Sequence, residues 1–491
     1  MISAFVCEQK RYSRDDLKSL FHCSDSGIVR IIKRLKEYNI LKKVKNSKEQ
    51  LDMSDLADED IEISDEDDFL TNYLYVFTFV GLIIIEGRVL KCYPKYILST
   101  EEPIEELRQI IKVLQKYNSK KQIIYMYNNG GKKTSYNRLA AMIFLLNDYF
   151  VNGVYINLQD IIEVNGMGEI NWDRTINDSF PILKNGRPYY MELQTKKRIN
   201  DERDYFMKLH QCLLTTCSKE LASADLLELL DISEVNLSEE SLDDFGEIDC
   251  VLLRIEKELN IQFNTRKQEV LRTMSSLILN TATLDEVDSI SMFGTNNFNL
   301  VWETVCAEVM DNKLHTKLNS LNLPGILSIP EGSSYDGTNE LIDIIEKPKW
   351  MGNNGDSTFE KEAQETLTPD LISIIKQDNN YTFVIFDAKY YTIQLDYCKP
   401  LRGQPGVNDI IKQYLYQLAY KDFVKKNHFK SMKNCFLMPT ENDFVIQKGS
   451  VRMDMLSALN LESIQIRQLP TKRMFTYYLR SLKMDINELN L

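Results

Sequence analysis

Three charged side chains lie at the ends of two neighbouring apolar segments. Asp370 precedes LISII (residues 371–375), and Asp387 and Lys389 close the segment YTFVIFDAKYY (residues 381–391). Burying a charge without a partner is costly, so these positions indicate a chemical purpose. Two carboxylates can hold Mg²⁺, which activates water and stabilises charge on a phosphate, and a nearby ammonium can assist. The pattern predicts metal-assisted phosphodiester hydrolysis.

A β-hairpin is the element that would bring these side chains together. LISII and YTFVIFDAKYY are rich in β-branched and aromatic residues, and KQDNN (residues 376–380) between them is typical of a turn. Side chains alternate along a strand, so Asp387 and Lys389 share one face. With Ile375 near Tyr381, Asp370 falls opposite Phe386 or Asp387. The alternative is a surface hairpin with solvated charges, but the flanking residues are too apolar for it.

Two helical segments supply further candidates. In NNFNLVWETVCAEVMDN (residues 296–312), Glu303 lies at the edge of an apolar stripe, and Glu308 is the second choice. The alternative for Glu303 is a solvated flank carboxylate. In NDIIKQYLYQLAYK (residues 408–421), Gln413 and Gln417 share one helix face. The alternative there is an amphipathic packing helix.

Pro369-Asp370 and Asp387-Ala388-Lys389 resemble the PD-(D/E)xK nuclease motif. The wider chain, over about residues 75–440, resembles LlaJI-type restriction endonucleases, a group similar to McrC. Six segments carry this resemblance: Phe79-Val80-Gly81, Tyr93-Pro94-Lys95-Tyr96, GEINWDRTI at 168–176, VWE at 301–303, PD at 369–370 and DAKYY at 387–391.

The resemblance implies a DNA endonuclease using Mg²⁺, for which Mn²⁺ can substitute. Asp370, Asp387 and Glu303 would bind the metal and Lys389 would position water or stabilise charge. Gln417, in YQLAY, would belong to the helix that closes the site in RecB-like members and is favoured over Gln413. McrC-like chains dock on an AAA+ GTPase (McrB-like) and stimulate it. The sequence has no G-x-x-x-x-G-K-[ST], so we expect any NTP dependence to come from such a partner.

The composition fits a modular, mixed α/β protein. Of 491 residues 27% are charged and the net charge is −13, which excludes a uniformly basic nucleic-acid coat. The nine cysteines and four histidines are dispersed, so zinc is not expected. We predict four parts: a winged helix-turn-helix-like unit (1–50), an acidic linker (51–70), a helical and β middle module that docks a partner (71–284), and a restriction-endonuclease-like domain (285–491).

The first part is basic, with 12 Lys and Arg against 6 Asp and Glu in residues 1–50. Its second helix predicts DNA or partner recognition, and a solvated basic helix is an equal alternative. No secretory signal is visible, and the apolar run at 73–85 is too short to span a bilayer, so we expect a cytoplasmic protein without a membrane partner.

Two other functions remain open at this point. One is a stand-alone repair or transposition nuclease, and the other is a DNA-binding regulator with an inactive nuclease domain.

Overall fold

The structure is a computed structural model that describes residues 2–45, 73–120, 138–200, 204–279, 290–329, 331–354, 357–377 and 380–491. These residues form two compact units. The split unit contains residues 2–123 and 292–491, and the inserted unit contains residues 124–291. The acidic linker predicted at 51–70 lies outside the described residues. The four-part division predicted from the sequence stays a prediction.

In the part of the split unit's first segment that the structure describes, strands combine with three helices. Its strands are β1 (Ile2–Cys7), β2 (Arg11–Tyr12), β3 (Leu41–Lys45), β4 (Tyr73–Phe77), β5 (Val80–Ile85) and β6 (Arg88–Tyr93). Its helices are α1 (Arg14–Phe21), α2 (Asp25–Glu37) and α3 (Ile104–Lys120).

The inserted unit is mainly helical, with small antiparallel sheets. Its helices are α4 (Arg138–Asn152), α5 (Trp172–Asp178), α6 (Tyr205–Ser223), α7 (Leu227–Leu230), α8 (Ile248–Ile261) and α9 (Thr265–Leu279). Its strands are β7 (Leu158–Val164), β8 (Glu169–Ile170), β9 (Pro181–Lys184), β10 (Arg187–Tyr190) and β11 (Gln194–Asn200). They pair as a three-stranded sheet, β7-β11-β8, and a hairpin, β10-β9.

The second segment of the split unit follows β12 (Ile290–Thr295), which crosses the boundary between the units. Its strands are β13 (Lys349–Asn354), β14 (Ser357–Glu362), β15 (Leu371–Gln377), β16 (Asn380–Ala388), β17 (Ser431–Thr440), β18 (Ile446–Val451) and β19 (Ile464–Pro470). Its helices are α10 (Phe298–Val309), α11 (Val407–Lys426) and α12 (Thr471–Leu479).

A five-stranded sheet with the order β15-β16-β17-β19-β18 organises this segment. The three central strands are parallel, and β15 and β18 pair antiparallel at the two edges. Along β16, Phe383 and Ile385 pack with Tyr420 and Phe423 of α11 in one apolar cluster. On the opposite face, Trp302 of α10 is fully buried, and its indole N–H donates to the Leu437 carbonyl at 3.1 Å. The sheet is therefore covered on both faces, as its apolar central strands require.

The N-terminal residues fold as two helices beside a small sheet. Ser13 caps α1 and Ser24 caps α2, and the strands pair in the order β2-β4-β3. The inner side of α2 is apolar and buried: Ile28, Ile31, Ile32 and Leu35. Strand β1 pairs parallel with β6, which joins the N-terminal residues to the four-stranded sheet β1-β6-β5-β12. Across the part of the chain that the structure describes, none of the helices has the length and apolar character to cross a membrane.

Candidate active site

The hairpin of β15 and β16 places Asp370 directly opposite Asp387. Ile375 pairs with Thr382 and Leu371 with Phe386, so the next position in register joins the two aspartates. Asp370 Oδ2 accepts a hydrogen bond from the Ala388 backbone N–H at 2.8 Å. This bond fixes Asp370 against the end of β16, although Asp370 precedes the first residue of β15.

The two carboxylates lie in direct contact, and Asp387 is only 6% exposed. Burial raises the pKa of Asp387, and the hydrogen bond and negative charge of Asp370 raise it further, to about 8. The ammonium of Lys389 works in the opposite direction and lowers it. Without a bound cation, the aspartate pair therefore holds one proton at neutral pH, because two carboxyl groups in contact do not both ionise readily in a buried site.

Lys389 lies between two carboxylates. Its Nζ is 3.2 Å from Asp387 Oδ2 and 3.0 Å from Asp409 Oδ1, and its side chain is largely buried. Burial alone lowers the pKa of Lys389, but Asp387 and Asp409 outweigh this effect and raise it. The lysine is therefore positively charged at neutral pH.

Asp409, in the first turn of α11, is a residue that the sequence analysis missed. It lies four residues before Gln413 and seven before Tyr416, on the helix face that packs on the sheet. Tyr416 belongs to the same environment: burial and then the charges of Asp387 and Asp370 raise its pKa to about 12. Helical spacing back from Gln413 was the signal that could have identified Asp409.

The two glutamines of α11 are both fully buried but have different surroundings. The Gln417 amide is used by the fold, because it donates to the Glu462 carbonyl and accepts from the Glu462 N–H, both at 3.0 Å. The Gln413 amide has no hydrogen-bond partner on either atom among the described residues. Its backbone carbonyl accepts from Asn434 Nδ2 at 2.9 Å, which places Gln413 over β17. The assignment of Gln417 to the site stays a prediction.

Glu303 lies on α10 and is half-buried. Burial, followed by the charges of Asp370 and Glu303, raises the pKa of Cys306 well above its ordinary value. Both carboxylates are thus near this thiol. Glu308 pairs with Lys116 at 3.7 Å, and its backbone carbonyl accepts from Lys483.

The two tyrosines that follow Lys389 contact residues from the first segment of the split unit. Tyr390 is buried and donates to Glu8 Oε2 at 2.5 Å. Lys95, from the YPKY segment, lies over the rings of Tyr390 and Tyr391 at 4.9 and 5.7 Å. Tyr96 packs edge-on against Tyr390. YPKY and DAKYY are therefore neighbours in space, which the sequence analysis did not anticipate.

The donor set suits a hard divalent cation. Asp370 and Asp387 present adjacent carboxylate oxygens whose mutual repulsion a cation would relieve, and Mg²⁺ in proteins is often held by one or two carboxylates and water. Within the described ranges, no group of three or more His, Cys, Asp or Glu side chains is arranged to hold a metal. The two aspartates are thus the direct candidates, and the assignment of Glu303 as a third ligand stays a prediction.

A buried aspartate in contact with a second carboxylate and with a lysine ammonium, at the end of a mixed sheet, offers the donor types that hydrolysis of a phosphate ester with a bound cation would use. The chain belongs to the LlaJI restriction endonuclease family, whose model matches residues 79–329 and 333–471.

The proteins similar to the chain include one curated relative and two solved structures. The Type II restriction enzyme BsuMI component YdjA of Bacillus subtilis (strain 168) is 26% identical over 435 residues, covering 84% of this chain and 83% of that protein. The refined half-complex from a tetradecameric assembly of Thermococcus gammatolerans McrB AAA+ hexamers with bound McrC has a TM-score of 0.37 at 12% identity, covering 98% of this chain and 99% of that one. The cryo-EM structure of the Thermococcus gammatolerans McrBC complex has a TM-score of 0.25 at 12% identity, covering 61% and 84%. At such TM-scores the likeness does not define the fold.

Proposed function

We propose that this chain is the Mg²⁺-dependent DNA endonuclease subunit of a two-subunit restriction system that acts in antiviral defence. The observation that carries the proposal is the contact between Asp370 and Asp387 beside Lys389. A protein gains no stability from burying two like charges, so a ligand that needs both carboxylates accounts for their presence. Membership of a restriction endonuclease family supports DNA as the substrate.

Each residue has a distinct role in the proposed reaction. The carboxylates of Asp370 and Asp387 hold the cation, and Glu303 assists them from α10. Mg²⁺, or Mn²⁺ in its place, supplies Lewis-acid activation of the scissile phosphate and of the attacking water. The Lys389 ammonium positions that water or stabilises the negative charge that develops on the phosphate. Gln417 contributes by holding α11, which carries Asp409, over the sheet.

The proposal includes two finer assignments of fold. The segment at 285–491 is a restriction-endonuclease-like domain of the PD-(D/E)xK type, because its metal-binding hairpin leads into a parallel sheet with helices on both faces. The segment at 1–50 is a winged-helix-like unit, because its two helices, joined by a short turn, lie beside a sheet in which its strands β2 and β3 both pair with β4 (Tyr73–Phe77) of the following segment.

We also propose an AAA+ GTPase of the McrB kind as partner, which this chain docks on and stimulates. The relative from Bacillus subtilis is named a component of its restriction enzyme, and this chain has no phosphate-binding P-loop of its own. The docking region is the middle module at 71–284, which exposes a dense set of large apolar side chains between residues 164 and 191. These are Val164, Met167, Ile170, Trp172, Ile176, Phe180, Ile182, Leu183, Tyr189 and Met191. The set includes Ile170, Trp172 and Ile176 of GEINWDRTI.

The test is DNA cleavage by the purified chain with its partner, GTP and Mg²⁺. Asp387→Ala and Lys389→Ala are expected to abolish cleavage, while partner binding is retained and unfolding remains a single cooperative transition. Asp396→Ala and Lys399→Ala are matched controls, because both side chains are exposed and pair with each other at 3.6 Å. Wild-type cleavage rates in either site variant would refute the proposed site.

The same assay separates the other two functions. Cleavage by the chain and Mg²⁺ alone, without partner or GTP, would point to a stand-alone repair or transposition nuclease. Specific DNA binding without metal-dependent cleavage under any of these conditions would point to a regulator with an inactive nuclease domain.

A further inference from the structure

Asp409 uses its two carboxylate oxygens for different purposes. Oδ2 accepts the Gly406 backbone N–H at 3.2 Å, which satisfies one backbone donor at the start of α11. Oδ1 lies 3.0 Å from Lys389 Nζ. One oxygen thus ties Asp409 to its own helix, and the other crosses to the residue that follows β16.

Helix α11 is held firmly over the sheet, so Asp409 has a defined position. The Tyr416 hydroxyl donates to the Thr368 carbonyl at 2.8 Å, just before Asp370. The Tyr420 hydroxyl donates to the Leu341 carbonyl at 3.1 Å. With the two Gln417 bonds to Glu462, two successive turns of the helix are anchored. A side chain on such a support is pre-organised, which is what positioning another residue requires.

The Lys389 ammonium can pair with either of two carboxylates, Asp387 or Asp409. Next to Asp387 alone, the ammonium would neutralise the carboxylate that the cation needs, and the cation would have to displace it. With Asp409 as a second partner, Lys389 can leave Asp387 and remain both charged and paired, so no buried charge is stranded.

We propose that Asp409 is a positioning residue that holds Lys389, so that Asp387 is released to bind a divalent cation. This inference rests on the proposed function. It adds a residue that acts through Lys389 and touches neither the cation nor the DNA. Because outer partners of metal ligands typically contribute 10- to 100-fold to metal affinity or activity, the effect is measurable.

The experiment is a double-mutant cycle on the full chain, read out as Mn²⁺ binding by calorimetry. Asp409→Asn removes the charge but retains an oxygen that can accept the Gly406 N–H, so α11 is expected to remain folded. We expect it to raise the Mn²⁺ dissociation constant about tenfold. In a Lys389→Met background the same Asp409→Asn change is expected to alter the constant less than about twofold, because the residue that Asp409 holds is gone.

Asp422→Asn, on an exposed position of the same helix, is the matched control and should leave Mn²⁺ binding unchanged. A tenfold loss that persists in the Lys389→Met background would overturn the proposal, because it would mean that Asp409 acts directly on the cation or on the fold. Unchanged affinity in the single variant would overturn it as well. If Asp387→Asn also left Mn²⁺ binding intact, the metal site itself would be wrong. If Asp387→Asn loses Mn²⁺ binding and Asp409→Asn does not, only the role of Asp409 is refuted.

Discussion

Replacing Asp387 with asparagine is expected to make the metal-free protein more stable. The raised pKa, about 8 against an ordinary 3.8, means that folding requires Asp387 to take up a proton at neutral pH. At pH 7 this uptake costs up to about 4 kcal/mol, since one pKa unit corresponds to about 1.4 kcal/mol. Asparagine is neutral and its amide can still donate to Asp370. We therefore expect a gain of about 2 to 4 kcal/mol in the free energy of unfolding.

The pH dependence gives the sharper test. A carboxyl whose pKa is raised in the folded state binds its proton more tightly there than in the unfolded chain. Its contribution to stability is therefore fully present at low pH and is lost as pH rises towards 8. The stability difference between Asp387→Asn and wild type should grow by about 1.4 kcal/mol per pH unit between pH 5 and pH 8 and then level off.

Denaturant unfolding with EDTA, followed by tryptophan fluorescence, measures this difference. Of the three tryptophans, Trp302 is fully buried while Trp172 and Trp350 are more than half exposed, so the signal reports mainly on the split unit. Asp396→Asn, at an exposed carboxylate paired with Lys448 at 3.0 Å, is the control and should show no such slope. A destabilised Asp387→Asn protein, or a difference that does not change with pH, would refute the reasoning.

Two further predictions use the same unfolding assay. Gln413→Met should raise the free energy of unfolding by about 1 kcal/mol, because it removes a buried amide without partners among the described residues. Gln417→Met should lower it by about 1–2 kcal/mol, because both Glu462 backbone groups lose their hydrogen-bond partner, and equal effects of the two substitutions would contradict this. Adding Mg²⁺ should stabilise the wild type more at pH 8 than at pH 6, because binding displaces the proton of Asp387. It should leave the stability of Asp387→Asn unchanged. A stabilisation of the wild type that does not depend on pH would contradict this prediction.

The sequence predicted the hairpin well because its evidence is local. Alternation placed Asp387 and Lys389 on one face, and the turn length set the register closely enough to put Asp370 opposite Phe386 or Asp387; the structure has Asp387. Both strands consist of β-branched and aromatic residues that favour this conformation without help from distant contacts. The separation of the candidate carboxylates could thus be inferred before any tertiary structure was known.

Contacts between distant segments could not be inferred in the same way. The ion pair of Lys389 with Asp409 depends on how α11 lies over the sheet, and the contact of Tyr390 with Glu8 joins residues 382 positions apart. Strand β1 pairs parallel with β6, starting at Ile2 and Arg88, which are 86 positions apart. Parallel strands are not joined by a tight turn, so the local sequence carries no signal for this pairing.

Residues 254–279 have one continuous helical pattern in the sequence, but the structure divides them into two helices. Helix α8 ends at Ile261, and Asn264 begins α9 by accepting the Lys267 N–H at 3.1 Å.

The amide of Gln413 and the carboxyl of Asp387 raise the same question, because the fold would be more stable without either. Both are buried, and both lie on the face of the sheet that α11 covers. The Gln413 amide has no hydrogen-bond partner among the described residues, and burial and Asp370 together raise the pKa of Asp387. Positions at which a chain sacrifices stability are expected where a ligand supplies the missing interaction. If Gln413→Met and Asp387→Asn both stabilise the protein but only Asp387→Asn abolishes cleavage, Gln413 is a buried amide without hydrogen-bond partners among the described residues and has no part in catalysis. If both abolish it, the site extends along α11 beyond Asp409, and the amide belongs to the surface that meets the cation, its water or the scissile strand.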